Sequence, residues 1–379
     1  MGKPVYLDYN ATTPVAPEVF NEMMPYFKTY YGNPSSSYSI GKKNRDAISK
    51  ARKQVAEMIN ARPDEIIFTS GGTESNNHAI RGLALAHQKK GKHIITSSIE
   101  HPAVTNVCRY LANLGWEITW LPVDITGKVN PKDVKNSIRP DTVLISVMHA
   151  NNEIGTIQPI KEISAIARQN KVFFHTDAAQ SVGKIACDVN SLGVDLLTIA
   201  GHKLYAPKGI GALYVKQGVK VENLLHGAGQ EKGVRPGTEN VALIVALGKA
   251  CEFVAENFDE SYRNMCSTRE KLLKGLSHNL SHIKVNTDLG NSLPNTLSIA
   301  FKKIDAQMLT TALGEELLIS TGSACHSGIT EISSVLKAMN MNISRAAGTV
   351  RISTGKYTTM REIELAIEAI SKAVPELSS

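Results

Sequence analysis

The sequence predicts an α/β fold: a mainly parallel, seven-stranded sheet in a larger lobe, joined to a smaller α+β lobe. Three observations carry this. Short runs rich in Val, Ile, Leu and Phe recur through the middle of the chain. Segments with helical spacing separate several of them, and strands that alternate with helices favour parallel pairing. After about residue 255 the charge density rises and the pattern turns helix-rich. A second unit is expected there, since 379 residues are long for one core.

Strands are expected at Glu65–Thr69, His93–Ser97, Glu117–Val123, Thr142–Met148, Lys171–His175, Leu196–Ala200 and Gly211–Val215. Branched and aromatic side chains dominate these runs and pack well on a pleated surface. A helix is expected over Asp46–Ile59, where Ile48, Ala51, Val55 and Ile59 recur three or four apart. Another is expected over Ile160–Gln169. The basic stretch Lys42, Lys43, Arg45, Lys50, Arg52 and Lys53 reads as a solvated helix face. The Gly-rich segment from His226 to Asn240 is too polar for a core and reads as a functional or interfacial loop.

Composition excludes several classes. No apolar run approaches the ~18 residues that a membrane helix needs. The opening MGKPVYLDYN has no long apolar stretch before its first acid, so a cleaved secretory signal is not expected. Lys plus Arg number 42 against 35 for Asp plus Glu. That excess is small and spread out, and does not argue for a nucleic-acid partner. Five Cys without a CxxC pair argue against a disulfide framework and for a reducing compartment such as the cytoplasm. His278 and His282 are four apart, but no HExxH acid accompanies them, and no metal is expected.

In a parallel α/β sheet, ligands bind beyond the carboxyl ends of the strands. The first strand runs into Ser70-Gly71-Gly72-Thr73-Glu74-Ser75. Small residues opening a helix suit a phosphate, whose oxygens meet free N–H groups; a plain glycine turn fits as well. Asp177 follows the fifth strand. Amid apolar neighbours it needs a cation, unless it caps a helix. Lys203 follows the sixth strand. It is either a surface lysine or a partly desolvated one, and desolvation frees the neutral amine as a nucleophile. A nucleophilic lysine, an acid for a ring nitrogen and a phosphate cradle are together what pyridoxal phosphate requires. His101, in SIEH, is a loop histidine or one that stacks on such a ring and moves protons. Asn152, in HANNEIG, is an Asx turn or a hydrogen-bond partner of the ring. Cys325 lies in TGSACHSG, read as a polar, mobile loop, which points to a reactive thiol beside His326. Cys108, Cys187, Cys251 and Cys266 read as packing residues.

Nearly end to end, the motifs YLDYNATTP, YGNPSS, FTSGGTESNN, SSIEHPAV, NNEIG, HTDAAQ, GHKLYAPKGIGALYV, RPGTEN, TGSACHSG and VRISTGKYTT resemble those of the cysteine desulfurases of the nitrogen-fixation and iron–sulfur-cluster type. These are fold-type I pyridoxal-phosphate enzymes related to class V aminotransferases. The resemblance implies that Lys203 carries the cofactor as a Schiff base, with Asp177 at the pyridinium nitrogen and His101 stacked on the ring. Gln180 and Asn152 would approach the phenolic oxygen, and Gly72, Thr73 and His202 would cradle the phosphate. Thr238 would reach the phosphate of a neighbouring subunit, which implies a homodimer. Asn33 and Arg351 would clamp the carboxylate of L-cysteine, Arg351 in bidentate fashion, and Cys325 would accept the sulfur for a cluster scaffold or sulfur relay. The implied division is a large cofactor-binding domain over 16–255 and a small one from 1–15 and 256–379, with the Cys325 loop at about 320–340.

The chain departs from the family pattern in places. Ala200 stands where a phosphate-binding Ser is frequent, so a somewhat weaker hold on the cofactor is expected. His326 stands where a small hydroxyl residue is frequent, and CHS with NPSSSYS also resembles the selenocysteine lyases of the same fold. Pro102 beside His101 favours the desulfurase.

Overall fold

The computed structural model describes residues 4–321, 323–326 and 329–378; the side chains of 323–326 and 329–331 lie outside the described residues. The strands are β1 Val5–Tyr6, β2 Ile66–Thr69, β3 His93–Ser97, β4 Glu117–Leu121, β5 Thr142–Ser146, β6 Phe173–Asp177, β7 Leu196–Ala200 and β8 Gly211–Val215. Then come β9 Ile283–Val285, β10 Thr296–Phe301, β11 Leu317–Leu318, β12 Ser320–Thr321, β13 Ser323–His326, β14 Ile329–Ile332 and β15 Thr349–Ser353.

Strands β2 to β8 form one seven-stranded sheet in the order β2-β8-β7-β6-β5-β3-β4. Only β8 runs against its neighbours, pairing antiparallel with β2 and β7. Strands β2, β3, β5 and β7 are buried along their whole length, as a sheet covered by helices on both faces requires. One face packs Val55, Phe68, Ile145, Phe174 and Leu247; the other packs Ile80, Ile94, Val107 and Leu213. A separate core of Leu272, Leu276, Leu297, Ile299, Val350, Ile363 and Ile370 surrounds the antiparallel sheet β12-β15-β10-β9. The chain turns at Asn257, between the helices Val241–Glu256 and Phe258–Asn279.

Three expectations change. The helix expected at Asp46 starts at Ser39. Its first turns bury Gly41 and Asn44, and the Asn44 amide donates to Tyr30 O (2.8 Å) and Gly32 O (2.5 Å); polar residues buried through hydrogen bonds leave no apolar period. The basic stretch is not uniformly solvated. Arg52 donates to both carboxylate oxygens of Glu231, whose side chain is buried (2.8 and 2.5 Å), and to Ile66 O (2.7 Å). Arg45 grips Ser36 O at 2.7 Å. The expected loop at 320–340 holds β12, the antiparallel hairpin β13–β14 and the helix Ser334–Ala338. Cys325 is paired with Thr330 in that hairpin, and its side chain lies outside the described residues.

Candidate active site

The carboxyl ends of β2, β3, β5, β6 and β7 open on a cavity of about 250 Å³. Its lining includes Gly72, Thr73, His101, Asn152, Asp177, Gln180, His202, Lys203 and Arg351, all expected from the sequence. Asp177 is the last residue of β6 rather than the second beyond it, because that strand runs from Phe173 to Asp177 and not from Lys171 to His175.

Each polar group is set by its element. Gly71 opens the helix Gly72–Asn77 at φ +149, a conformation open to glycine. A Cβ on Gly72 would lie 3.2 Å from Ala200 Cβ, so a glycine lets the start of the helix pack closely on the end of β7. His101 caps the helix Pro102–Asn113, its Nδ1 accepting from Ala103 N at 3.1 Å. That bond places the proton of a neutral ring on Nε2. The ring is reached through the cavity, yet the protein on its other sides holds its pKa below the usual histidine value, and Lys203 adds to this.

Lys203 sits in the turn after β7, and its Nζ donates to Asn10 O (2.5 Å) and Ala11 O (2.7 Å). Desolvation, helped by the Arg351 charge, pushes its pKa down to about 8. The same turn holds His202, lowered to about 4 by burial and by Lys203. Asp177 is buried. Its Oδ2 accepts from Asn76 Nδ2 (2.7 Å) and its Oδ1 from Ala179 N (2.9 Å). Among the described residues no cation pairs with it.

Arg351, on β15 of the antiparallel sheet, also lines the cavity. Its Nη2 donates to Asp8 (2.6 Å) and Ser320 Oγ (2.9 Å), and its Nη1 to Asn152 O (3.0 Å). Its Nε is buried without a partner. Two protons remain, on Nε and Nη1, and these lie on different edges of the guanidinium. Either edge that could grip a carboxylate in bidentate fashion includes Nη2, so the grip expected of Arg351 requires Asp8 or Ser320 to give way.

Asn33 and Thr238 do not line the cavity. Asn33 is exposed and its side chain caps Ser35 N at 2.9 Å; Thr238 is exposed in the loop from 226 to 240. Sequence reasoning passed over Asp8, Asn10 and Asn76. The first two lie in YLDYNATTP and the third in ESNN, both quoted as motifs without a role. Cys108, Cys187 and Cys251 are buried and free, and burial pushes each thiol up to about 12; Cys266 is partly exposed.

The cavity fits pyridoxal phosphate. Asp177 is a buried carboxylate lacking a cation, the complement of a protonated ring nitrogen. Gly72 and Thr73 begin a helix beside it, where a phosphate is favoured. Asn76 Oδ1 and Arg351 Nε are buried polar atoms without partners, of the kind that a ligand satisfies.

Comparison with known proteins agrees. The model of the class-V aminotransferase family matches residues 5–365. The chain is 47% identical over 378 residues to the cysteine desulfurase IscS of Dictyoglomus turgidum, covering 100% of this chain and 96% of that one. It is 42% identical to the human cysteine desulfurase over 99% of its own length and 82% of the relative's. Among solved structures, a NifS-like protein superposes with a TM-score of 0.93 at 37% identity, covering 99% of this chain and all of the other. SspA, solved in complex with cysteine, gives 0.83 at 39% identity over 93% and 99%. The chain belongs to the class-V aminotransferase family and, within it, to the cysteine desulfurases.

Proposed function

We propose that this chain removes sulfur from L-cysteine, releasing L-alanine and leaving the sulfur on Cys325 for an acceptor protein, a cluster scaffold or a sulfur relay. One observation carries the reading: Lys203, Asp177, His101 and Arg351 converge on a single cavity at the strand ends. Pyridoxal phosphate bound there supplies the electron sink for the bonds at the substrate's Cα and Cβ. Gly72, Thr73 and His202 would hold its phosphate, Asp177 would meet its ring nitrogen, His101 would lie against its ring, and Gln180 and Asn152 would serve its phenolic oxygen.

Lys203 Nζ would hold the cofactor and, once released from it, would take the proton from Cα; its lowered pKa keeps a neutral fraction near pH 7. Arg351, together with Asn33, orients the substrate carboxylate. The Cys325 thiolate attacks the substrate sulfur. The C–S bond breaks with its electron pair going to Cβ, which takes a proton. Sulfur is oxidised as carbon is reduced, and no outside oxidant enters. His101 Nε2 is the group placed to give or take the proton.

The working unit is a homodimer, with Thr238 of each subunit reaching the other's phosphate, and each subunit divides into a large domain over 16–255 and a small one from 1–15 and 256–379. The free, mostly buried cysteines suit a reducing compartment such as the cytoplasm. Among the described residues no helix is long and apolar enough to cross a membrane.

A single turnover with L-cysteine and L-selenocysteine side by side tests the reading. Alanine from cysteine, with a gain of ~32 Da on the Cys325 peptide, is the outcome expected of a covalent sulfur transfer. Cys325→Ala should keep the yellow cofactor band and lose sulfide release. Sulfide release surviving in that variant removes Cys325 from the mechanism, and turnover of selenocysteine alone makes the protein a selenocysteine lyase.

A further inference from the structure

One buried lysine beside the cavity has no part in the chemistry above. Lys184 lies four residues after Gln180, in the turn that follows β6, and is 6% exposed. Its Nζ donates to Asn10 Oδ1 (2.9 Å) and Gln180 Oε1 (2.8 Å), two uncharged acceptors, and no carboxylate pairs with it among the described residues. Burial, with Lys203 and Arg351 as neighbouring cations, pushes its pKa well below that of an ordinary lysine. A neutral amine has two N–H protons, which matches two acceptors.

The consequence falls on Gln180. An amide side chain can be turned end for end, and its partners decide which way it sits. With Oε1 held by Lys184, Nε2 is the end that donates to Asn10 O at 2.9 Å, and its second proton is left for the cavity that Gln180 lines. Asn10 O is also the seat of Lys203 Nζ, while Asn10 Oδ1 is shared between Lys184 and Asn295 Nδ2 (3.0 Å). One donor at 184 thus holds both the amide that faces the cofactor and the side chain of the residue whose backbone carbonyl receives the nucleophilic amine.

We propose that Lys184 is a positioning residue of the cofactor site, a donor that locks Gln180 with its N–H toward the cavity and steadies Asn10 beneath Lys203. This rests on the pyridoxal-phosphate reading above. If Lys184 only filled space, a Met of similar length would replace it without effect on the cofactor. If it acts as a donor, the Gln180 amide is released in K184M, and the ring oxygen it approaches loses a hydrogen bond. Loss of a donor to an anionic oxygen raises the pH at which the attached chromophore deprotonates.

The test is a pH titration of the yellow band in holoprotein of the wild type, K184M, Q180A and the double variant. K184M is expected to raise the midpoint by about one pH unit. The double variant should titrate as Q180A does, because Lys184 acts through Gln180. Additive shifts, or a K184M midpoint equal to that of the wild type, overturn the proposal. K184L runs the same cycle should K184M not accumulate. K184Q, whose amide can still donate to Gln180, is expected to titrate near the wild type; a midpoint displaced as far as that of K184M also overturns it. Failure of the underlying reading is separate: the wild type itself would then show no yellow band with pyridoxal phosphate.

Discussion

At Lys203 the protein removes water from an amine and sets Arg351 near it, and both favour the uncharged form. The neutral amine is the nucleophile, so attachment of pyridoxal phosphate to the apoprotein should quicken as pH rises and level off above about 8. Below that value the rate should fall about tenfold per pH unit, following the neutral fraction. A rate of yellow-band growth that is flat between pH 6 and 9 contradicts this. Glu100 gives an opposite lesson. It is buried, its Oε1 accepts from Ser97 Oγ (2.5 Å) and Met148 N (2.9 Å), and its Oε2 has no partner. Desolvation raises its pKa from the ordinary 4.5 to about 8. The unfolded chain gives up this proton from about pH 4.5 and the folded one only near 8, so between them the unfolded state binds fewer protons and stability falls with rising pH. Glu100→Gln keeps the Oε1 acceptor and removes the titration. The variant should gain Tm relative to the wild type as pH rises from 5 to 8, and a constant difference across that range would remove Glu100 as the source.

Elements decide which of these residues meet. The apolar runs made the sheet legible: β3, β7 and β8 match their expected bounds, and Gly72, Asp177 and Lys203 are found at the strand ends where a parallel sheet binds ligands. What escaped the sequence is polar and long-range. Asn10 bonds residues 142 to 343 positions away, among them Asn152, Lys184, Thr296 and Ser353, and no local period marks such a hub. Lys184 reads in the sequence as one lysine among many. The Cys325 segment is rich in Gly and Ser, which reads as a loop, yet it pairs as a hairpin. Ala200 ends β7 close against Gly72 and lines the cavity, where the family resemblance expects a hydroxyl to meet the phosphate. Ala200→Ser should tighten pyridoxal phosphate by about fivefold, the worth of one hydrogen bond of ~1 kcal/mol. Equal affinity of variant and wild type in a cofactor titration would mean that the phosphate is already satisfied there.

For the whole molecule, the question is what a single chain leaves incomplete. Its cavity gathers the lysine, the acid, the histidine and the arginine, but Thr238 stays outside it, exposed on a loop that is anchored rather than free. The anchor is Glu231, whose carboxylate takes Arg52 and, at 2.9 Å, Phe68 N of β2. A loop fixed to the sheet whose Thr238 is exposed and does not line its own cavity fits donation to a second copy, and two-fold pairing closes such an exchange. Mixed dimers make this decisive. Pair a Lys203→Ala subunit with a Thr238→Ala subunit. If Thr238 serves the partner, one site of the pair lacks both residues. The other combines an intact Lys203 with an intact Thr238 and should bind pyridoxal phosphate as tightly as the wild type. If Thr238 serves its own subunit, the one site with a lysine lacks the threonine, and its affinity should match that of the Thr238→Ala homodimer. Cofactor titration of the purified mixed dimer separates the two, since only the lysine-bearing site turns yellow.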